Sequence, residues 1–184
     1  MAAVCVFCAS STTLDERWLG LARQVGAELA AAGHSLVSGG GRVGMMGTVA
    51  AGARSAGGHT LGVMPETLIA MEIADSESDE LVVTDGMTDR KTVMIMRSDA
   101  FLILPGGLGT LDELFEVWTT ATLGLHTKPV VVLDIDGFYT GLLDWLGGLV
   151  PLGFVRAAAL ESLTVAHSVA EALEAVERCR TPMV

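Results

Sequence analysis

Short runs of apolar residues alternate with amphipathic stretches along the chain. Ala3–Cys8 reads as a strand. The stripe Trp18, Leu21, Ala22, Val25, Leu29 that follows has the 3.6-residue period of a helix, with Thr13 and Glu16 in capping-box spacing before it and Gly33 as its stop. The pattern predicts further strands at His34–Ser38, Thr60–Met64, Leu81–Thr84, Ala100–Leu104, Pro129–Asp134 and Leu163–Ala166. Helices are predicted between them, from about Gly44 to Ala56, Thr88 to Ser98 and Phe138 to Leu149. Another has Leu111, Leu114, Phe115, Trp118 and Ala121 on one face, and the last opens with Ser168 and Glu171 in capping-box spacing. This alternation predicts a single α/β domain over residues 1–184, a Rossmann-like, doubly wound parallel sheet with helices on both faces. In such sheets ligands bind beyond the carboxyl ends of the strands. Both glycine clusters fall at such ends, Gly39–Gly41 after the second strand and Gly106–Gly109 after the fifth.

Composition sharpens this picture. The 184 residues are 51% hydrophobic but only 5% aromatic. Small, branched side chains suit a buried parallel sheet. The net charge of −11 argues against nucleic acid or an anionic membrane as a partner. Eight acidic residues and no Lys or Arg lie between Glu66 and Asp89, a run that reads as a solvated loop or as a segment folding over a ligand. Cys5 and Cys8 have the C-x-x-C spacing of redox or zinc sites, but residues three apart on a strand face opposite sides. They are read as structural, and three cysteines in all fit a reducing cytosol. No basic leader precedes the first apolar run, and no run reaches the roughly 20 residues that span a bilayer. The expected location is cytoplasmic.

The candidate chemistry centres on Pro105-Gly106-Gly107-Leu108-Gly109-Thr110-Leu111-Asp112-Glu113. Glycines let the backbone approach a bound group, and the N-terminus of the following helix offers free N–H groups, so a phosphate is the natural occupant. The alternative is a tight turn that merely needs glycine. Neither a Walker loop nor the dinucleotide fingerprint is present. Gly40 and Gly41 form either a second wall of the site or a close helix–sheet contact. Arg90 and Lys91 lie near a helix start, where cations oppose the dipole. With Arg97 they read as counter-charge for an anion or as surface partners of the acidic run. Thr110 and Glu113 have capping-box spacing, which would explain both without catalysis, yet Glu113 also stands one turn inside the helix that faces the presumed phosphate. Ser10 and Ser11 donate to a ligand or start a turn. The four histidines lack metal-ligand spacing, so no metal is expected.

Taken together, these motifs resemble the Lonely Guy family of cytokinin-activating phosphoribohydrolases. The likeness runs from Phe7-Cys8-Ala9-Ser10-Ser11 through Ser38-Gly39-Gly40-Gly41, Gly44-Met45-Met46-Gly47, Gly62-Val63-Met64-Pro65 and Met87-Thr88-Asp89-Arg90-Lys91. It continues through Ser98-Asp99-Ala100-Phe101, the full Pro-Gly-Gly-x-Gly-Thr-x-x-Glu signature at Pro105–Glu113, Leu123-Gly124 and Lys128-Pro129-Val130, to about Phe154. The resemblance implies hydrolysis of the N-glycosidic bond of a cytokinin riboside 5′-monophosphate. It implies Arg90 and Glu113 as catalytic residues, and Glu72, Lys91, Gly107, Leu108, Gly109, Thr110 and Thr119 as substrate-binding. It implies a homodimer, a nucleoside 5′-monophosphate as the small-molecule partner and no cofactor. Thr120-Ala121-Thr122 stands where plant members usually have Trp-Ala-Gln, and Thr88-Asp89 where they often have a histidine before the Arg-Lys pair. These departures bear on base preference. Relatives of this fold are often labelled lysine decarboxylases, but Lys91 and Lys128 are the only lysines, and neither is a convincing Schiff-base residue.

Overall fold

A computed structural model describes residues 1–69 and 74–178. Within them seven strands form one sheet: β1 (Ala3–Phe7), β2 (Ser35–Ser38), β3 (Thr60–Pro65), β4 (Glu80–Thr84), β5 (Ala100–Ile103), β6 (Val130–Leu133) and β7 (Leu163–Ala166). Every pairing is parallel and the order is β4-β3-β2-β1-β5-β6-β7. The chain steps outward from β1 in one direction, then returns to the other side of β1 at β5. The crevice where the order reverses lies between the carboxyl ends of β1 and β5. Residues 8–11 and the glycine loop after β5 therefore meet there.

The helices are α1 (Glu16–Ala31), α2 (Gly44–Ser55), α3 (Glu66–Ile69), α4 (Met87–Met96), α5 (Leu108–Thr122), α6 (Thr140–Gly148), α7 (Ala157–Glu161) and α8 (Val169–Arg178). Two cores lie on opposite faces of the sheet. One packs α1, α2 and α8 against Val4, Val6, Cys8, Leu102 and Leu104. The other packs α4, α5 and α6 against Cys5, Phe7, Phe101 and Ile103. Cys5 and Cys8 thus face opposite cores, as alternation along a strand requires. No helix of the described residues is long and apolar enough to cross a membrane.

The strand expectations hold to within a residue or two, and the differences lie at the helix ends. α1 is capped by Asp15, whose carboxylate accepts from the Arg17 N–H, not by a Thr13–Glu16 box. Half of the Ser168–Glu171 box forms: the Glu171 N–H donates to Ser168 Oγ at 3.2 Å, but the Glu171 carboxylate accepts from the N–H of His167, one residue before Ser168. The predicted helix over Phe138–Leu149 is α6, which starts two residues later at Thr140, and a separate 3-10 turn at Ile135–Gly137, with Asp136 at φ 54, precedes it. The short α3 and α7 were not anticipated. The acidic stretch is largely tied into the fold. Asp75 is buried beside Arg54 at 2.8 Å, Asp79 accepts from the Thr60 N–H at 2.8 Å, and Glu80 pairs with Arg97 at 2.8 Å.

Candidate active site

α5 starts at Leu108 with Gly107 as its N-cap, and no side chain caps it. This overturns the Thr110–Glu113 capping box. The glycines carry the helix start two residues upstream of Thr110, which places Thr110 inside the first turn. A Cβ on Gly106 would stand 2.1 Å from Thr110 Oγ1, so only glycine fits under that threonine. The Leu108, Gly109 and Thr110 N–H groups open the helix without a side-chain acceptor, and with the positive end of the helix dipole they offer donors of the kind that suit an anion.

Freed from capping, Glu113 lies on the inner face of α5 with Thr110, Leu114, Val117 and Trp118. The apolar stripe read from sequence was rotated from this face: Leu111 and Phe115 are only partly buried, because the inner face is polar where it meets the site. Glu113 is 9% exposed and takes no hydrogen bond from the described residues. Burial pushes its carboxyl from 4.5 up to about 7. The positive charge of Arg90 opposes the rise, Asp112 and Glu116 add to it, and Lys91 opposes it.

Arg90 enters from α4, which packs on β3 and β4. It is buried, donating through Nε to the Val63 carbonyl and through one terminal nitrogen to the Gly39 carbonyl, both at 3.0 Å. These bonds lock the plane of the guanidinium. Gly39 is what lets it in, since a Cβ there would lie 1.8 Å from that nitrogen. Arg90, Glu113, Ser10 and Gly107–Thr110 all line one open cavity of about 280 Å³, with Cys8, Ala9, Ser11 and Met46 completing its wall.

Other expected site residues lie elsewhere. Gly106 backs the loop and faces a neighbouring apolar cavity. Gly40 and Gly41 do not line the site: the Gly40 carbonyl accepts from the Asp75 N–H at 2.7 Å and Gly41 bridges Ala74, which favours the packing role. Lys91 does not line the cavity: it bridges Asp112 at 3.0 Å and Glu116 at 2.7 Å, and these carboxylates raise its pKa. Arg97 pairs with Glu80 at the surface. Thr119 is exposed, in a separate groove with Phe115 and Trp118. Glu72 lies outside the described residues. Sequence reading missed Cys8 and Met46 as cavity walls; Cys8 could have been found, because it follows β1 at the crevice. Among the described residues no group of His, Cys, Asp or Glu is arranged to hold a metal.

A family model described as "Possible lysine decarboxylase" matches residues 46–176. A Mycobacterium tuberculosis cytokinin riboside 5′-monophosphate phosphoribohydrolase is 52% identical over 172 residues, 94% of this chain and 91% of that protein. The chain belongs to the Lonely Guy family. Its similarity to plant Lonely Guy proteins is nearly as broad: an Arabidopsis thaliana cytokinin riboside 5′-monophosphate phosphoribohydrolase is 40% identical over 95% of this chain and 76% of its own length. Beyond the Lonely Guy enzymes, the molybdenum cofactor carrier protein of Chlamydomonas reinhardtii has the same fold, with a TM-score of 0.72 at 27% identity over 96% of each chain.

Proposed function

We propose that this protein is a hydrolase that cleaves the N-glycosidic bond of cytokinin riboside 5′-monophosphates, releasing the N6-modified adenine and ribose 5-phosphate. The observation that carries this reading is the buried Glu113 carboxyl, which takes no hydrogen bond from the described residues and faces the same cavity as the locked Arg90 and the uncapped start of α5. The phosphate sits on the N–H groups of Leu108–Thr110, with Ser10 donating from the opposite wall. Departure of the base leaves positive charge on the ribose, and the Glu113 carboxylate stabilises it. Arg90 orients the nucleotide and favours departure of the adenine nitrogen. A water oxygen bonds to the anomeric carbon as the C–N bond breaks, and one water proton ends on the base. A carboxyl poised at about 7 is suited to handling that proton near neutral pH.

A lysine decarboxylase would need an amine at the site for a Schiff base. Lys91 is held by two carboxylates outside the cavity, and Lys128 donates to the Ile95 carbonyl at 2.6 Å, before the start of β6 and far from the glycine loop. The chain does not fit that chemistry. A second reading, a nucleotide or cofactor carrier, draws on the shared fold of the carrier protein. We also propose a cytoplasmic homodimer, supported by the acidic composition and by the exposed Leu123, Leu125, Leu152 and Phe154. Light scattering of the purified protein tests the dimer.

The deciding experiment incubates the protein with N6-isopentenyl adenosine 5′-monophosphate or AMP and follows release of free base by chromatography. Faster release from the N6-modified nucleotide is the expected result. Equal rates would make the protein a general nucleotide phosphoribohydrolase, and binding without release would make it a carrier.

A further inference from the structure

Tyr139 is the chain's only tyrosine. It follows a turn beyond β6 and is 2% exposed, yet it belongs to neither the cavity wall nor the chemistry above. Its hydroxyl donates to the Leu104 carbonyl at 2.7 Å. Leu104 is fully buried and is the last residue before Pro105-Gly106-Gly107. Its N–H still pairs with the Phe7 carbonyl at 2.9 Å, while its carbonyl bonds to Tyr139. A buried carbonyl without a donor is costly, so this hydroxyl decides where the strand may end and the loop begin.

The same hydroxyl lies beside the Gly106 backbone amide, which partly offsets the upward push of burial on the phenol. It therefore bonds to the backbone before Pro105 and lies near the backbone after it. The Pro105 carbonyl is itself held by the Ala9 N–H at 3.3 Å. The base of the glycine loop is thus tied to β1 on one side and to Tyr139 on the other.

Tyr139 is held in turn. Buried Asp134 accepts from the Tyr139 N–H at 2.6 Å and from Thr140 Oγ1 at 2.7 Å. Asp136 and Gly137 adopt φ 54 and φ 70 to bring the chain round. A turn in a left-handed conformation, fixed by a buried carboxylate, is more than filling a core position demands.

We propose that Tyr139 is a positioning residue for the phosphate loop: its hydroxyl fixes the Leu104 carbonyl, and through it the register of Gly106–Thr110 against Arg90 and Glu113. This rests on the phosphate-binding role proposed above for that loop. Tyr139→Phe keeps the ring and removes only the bond. The expected result is a KM for the nucleotide 5′-monophosphate raised roughly tenfold, an equal weakening of inhibition by ribose 5-phosphate, and unchanged inhibition by free adenine. A purely structural role would move all three together or none.

Because the tyrosine is single, biosynthetic 3-fluorotyrosine labelling yields one fluorine resonance from the intact protein. Ribose 5-phosphate should shift it and adenine should not. Wild-type KM and inhibition in Tyr139→Phe, or a resonance indifferent to ribose 5-phosphate, would overturn the proposal. A ribose 5-phosphate shift in a protein that releases no base would leave Tyr139 as loop anchor and defeat only the hydrolase reading. If Tyr139→Phe does not fold, the labelled protein decides alone.

Discussion

Glu113→Gln should make the protein less active and, above neutral pH, more stable. The two effects share one cause. The folded protein raises this carboxyl from 4.5 to about 7, so between those values the native state holds a proton that the unfolded chain has released. Stability therefore falls as pH climbs through this window. Below 4.5 both states are protonated and the residue costs nothing through its charge; above about 7 both are ionised and the full penalty applies. That penalty is ~3 kcal/mol. Glutamine does not titrate, but its amide is buried without ready partners and costs ~1–2 kcal/mol at any pH. The telling quantity is thus the change in the variant's relative stability with pH, ~2.5 kcal/mol in its favour between about pH 5 and about pH 8.5. Urea unfolding of both proteins at the two pH values measures it. A relative stability that does not change with pH would mean that Glu113 is not held above its ordinary range, and the argument for a poised carboxyl would fail.

Gly39→Ala should cost roughly 100-fold in kcat, because a methyl group 1.8 Å from the Arg90 nitrogen must displace the guanidinium; the base-release assay checks it. Gly107→Ala should behave differently: a methyl group there would meet no atom within 4 Å, yet the residue caps α5 and lines the cavity, so stability to unfolding should weaken by only ~1 kcal/mol while KM for the monophosphate rises. Arg54→Ala should destabilise by ~3 kcal/mol in denaturant unfolding, since it leaves buried Asp75 without its partner. Cys5 and Cys8, both buried and with thiols pushed far up, chiefly by burial, should resist iodoacetamide in the folded protein and react only after unfolding, as peptide mapping would show.

How much of this was legible in the sequence follows the range of the interactions concerned. Strands such as Val130–Leu133 and Ala100–Ile103 are continuous apolar runs because both faces of the sheet are covered, and that signal is local. The glycine loop was equally legible, since Gly106–Gly109 follows a strand and opens a helix. Side-chain partners were not. Arg90 and Lys91 are adjacent, yet one turns inward to the Gly39 carbonyl and the other outward to Asp112 and Glu116; that division depends on where β2 and α5 pass, which no local pattern records. The Thr110–Glu113 spacing misled for a related reason. A capping box is a local motif, but the helix began earlier because Gly107 could serve as N-cap, and Glu113 was then turned toward the interior.

That inward turn bears on the choice between enzyme and carrier. A cavity built only to hold a phosphate gains from every positive group and loses from every negative one. Arg90 and the open end of α5 meet that need, but Glu113 shares their cavity and, once ionised, repels the ligand they attract. It also weakens the fold above neutral pH. A carrier would be improved on both counts by a neutral residue at this position. A hydrolase would not, because the charge it must stabilise is the positive one that develops on the ribose only as the base departs. The two residues of opposite charge arrive from α4, which packs on β3 and β4, and from α5, which packs on β1 and β5. Their meeting at one cavity therefore follows from the fold itself, and a carboxylate among the groups proposed to bind the phosphate makes chemical sense as a device for the transition state.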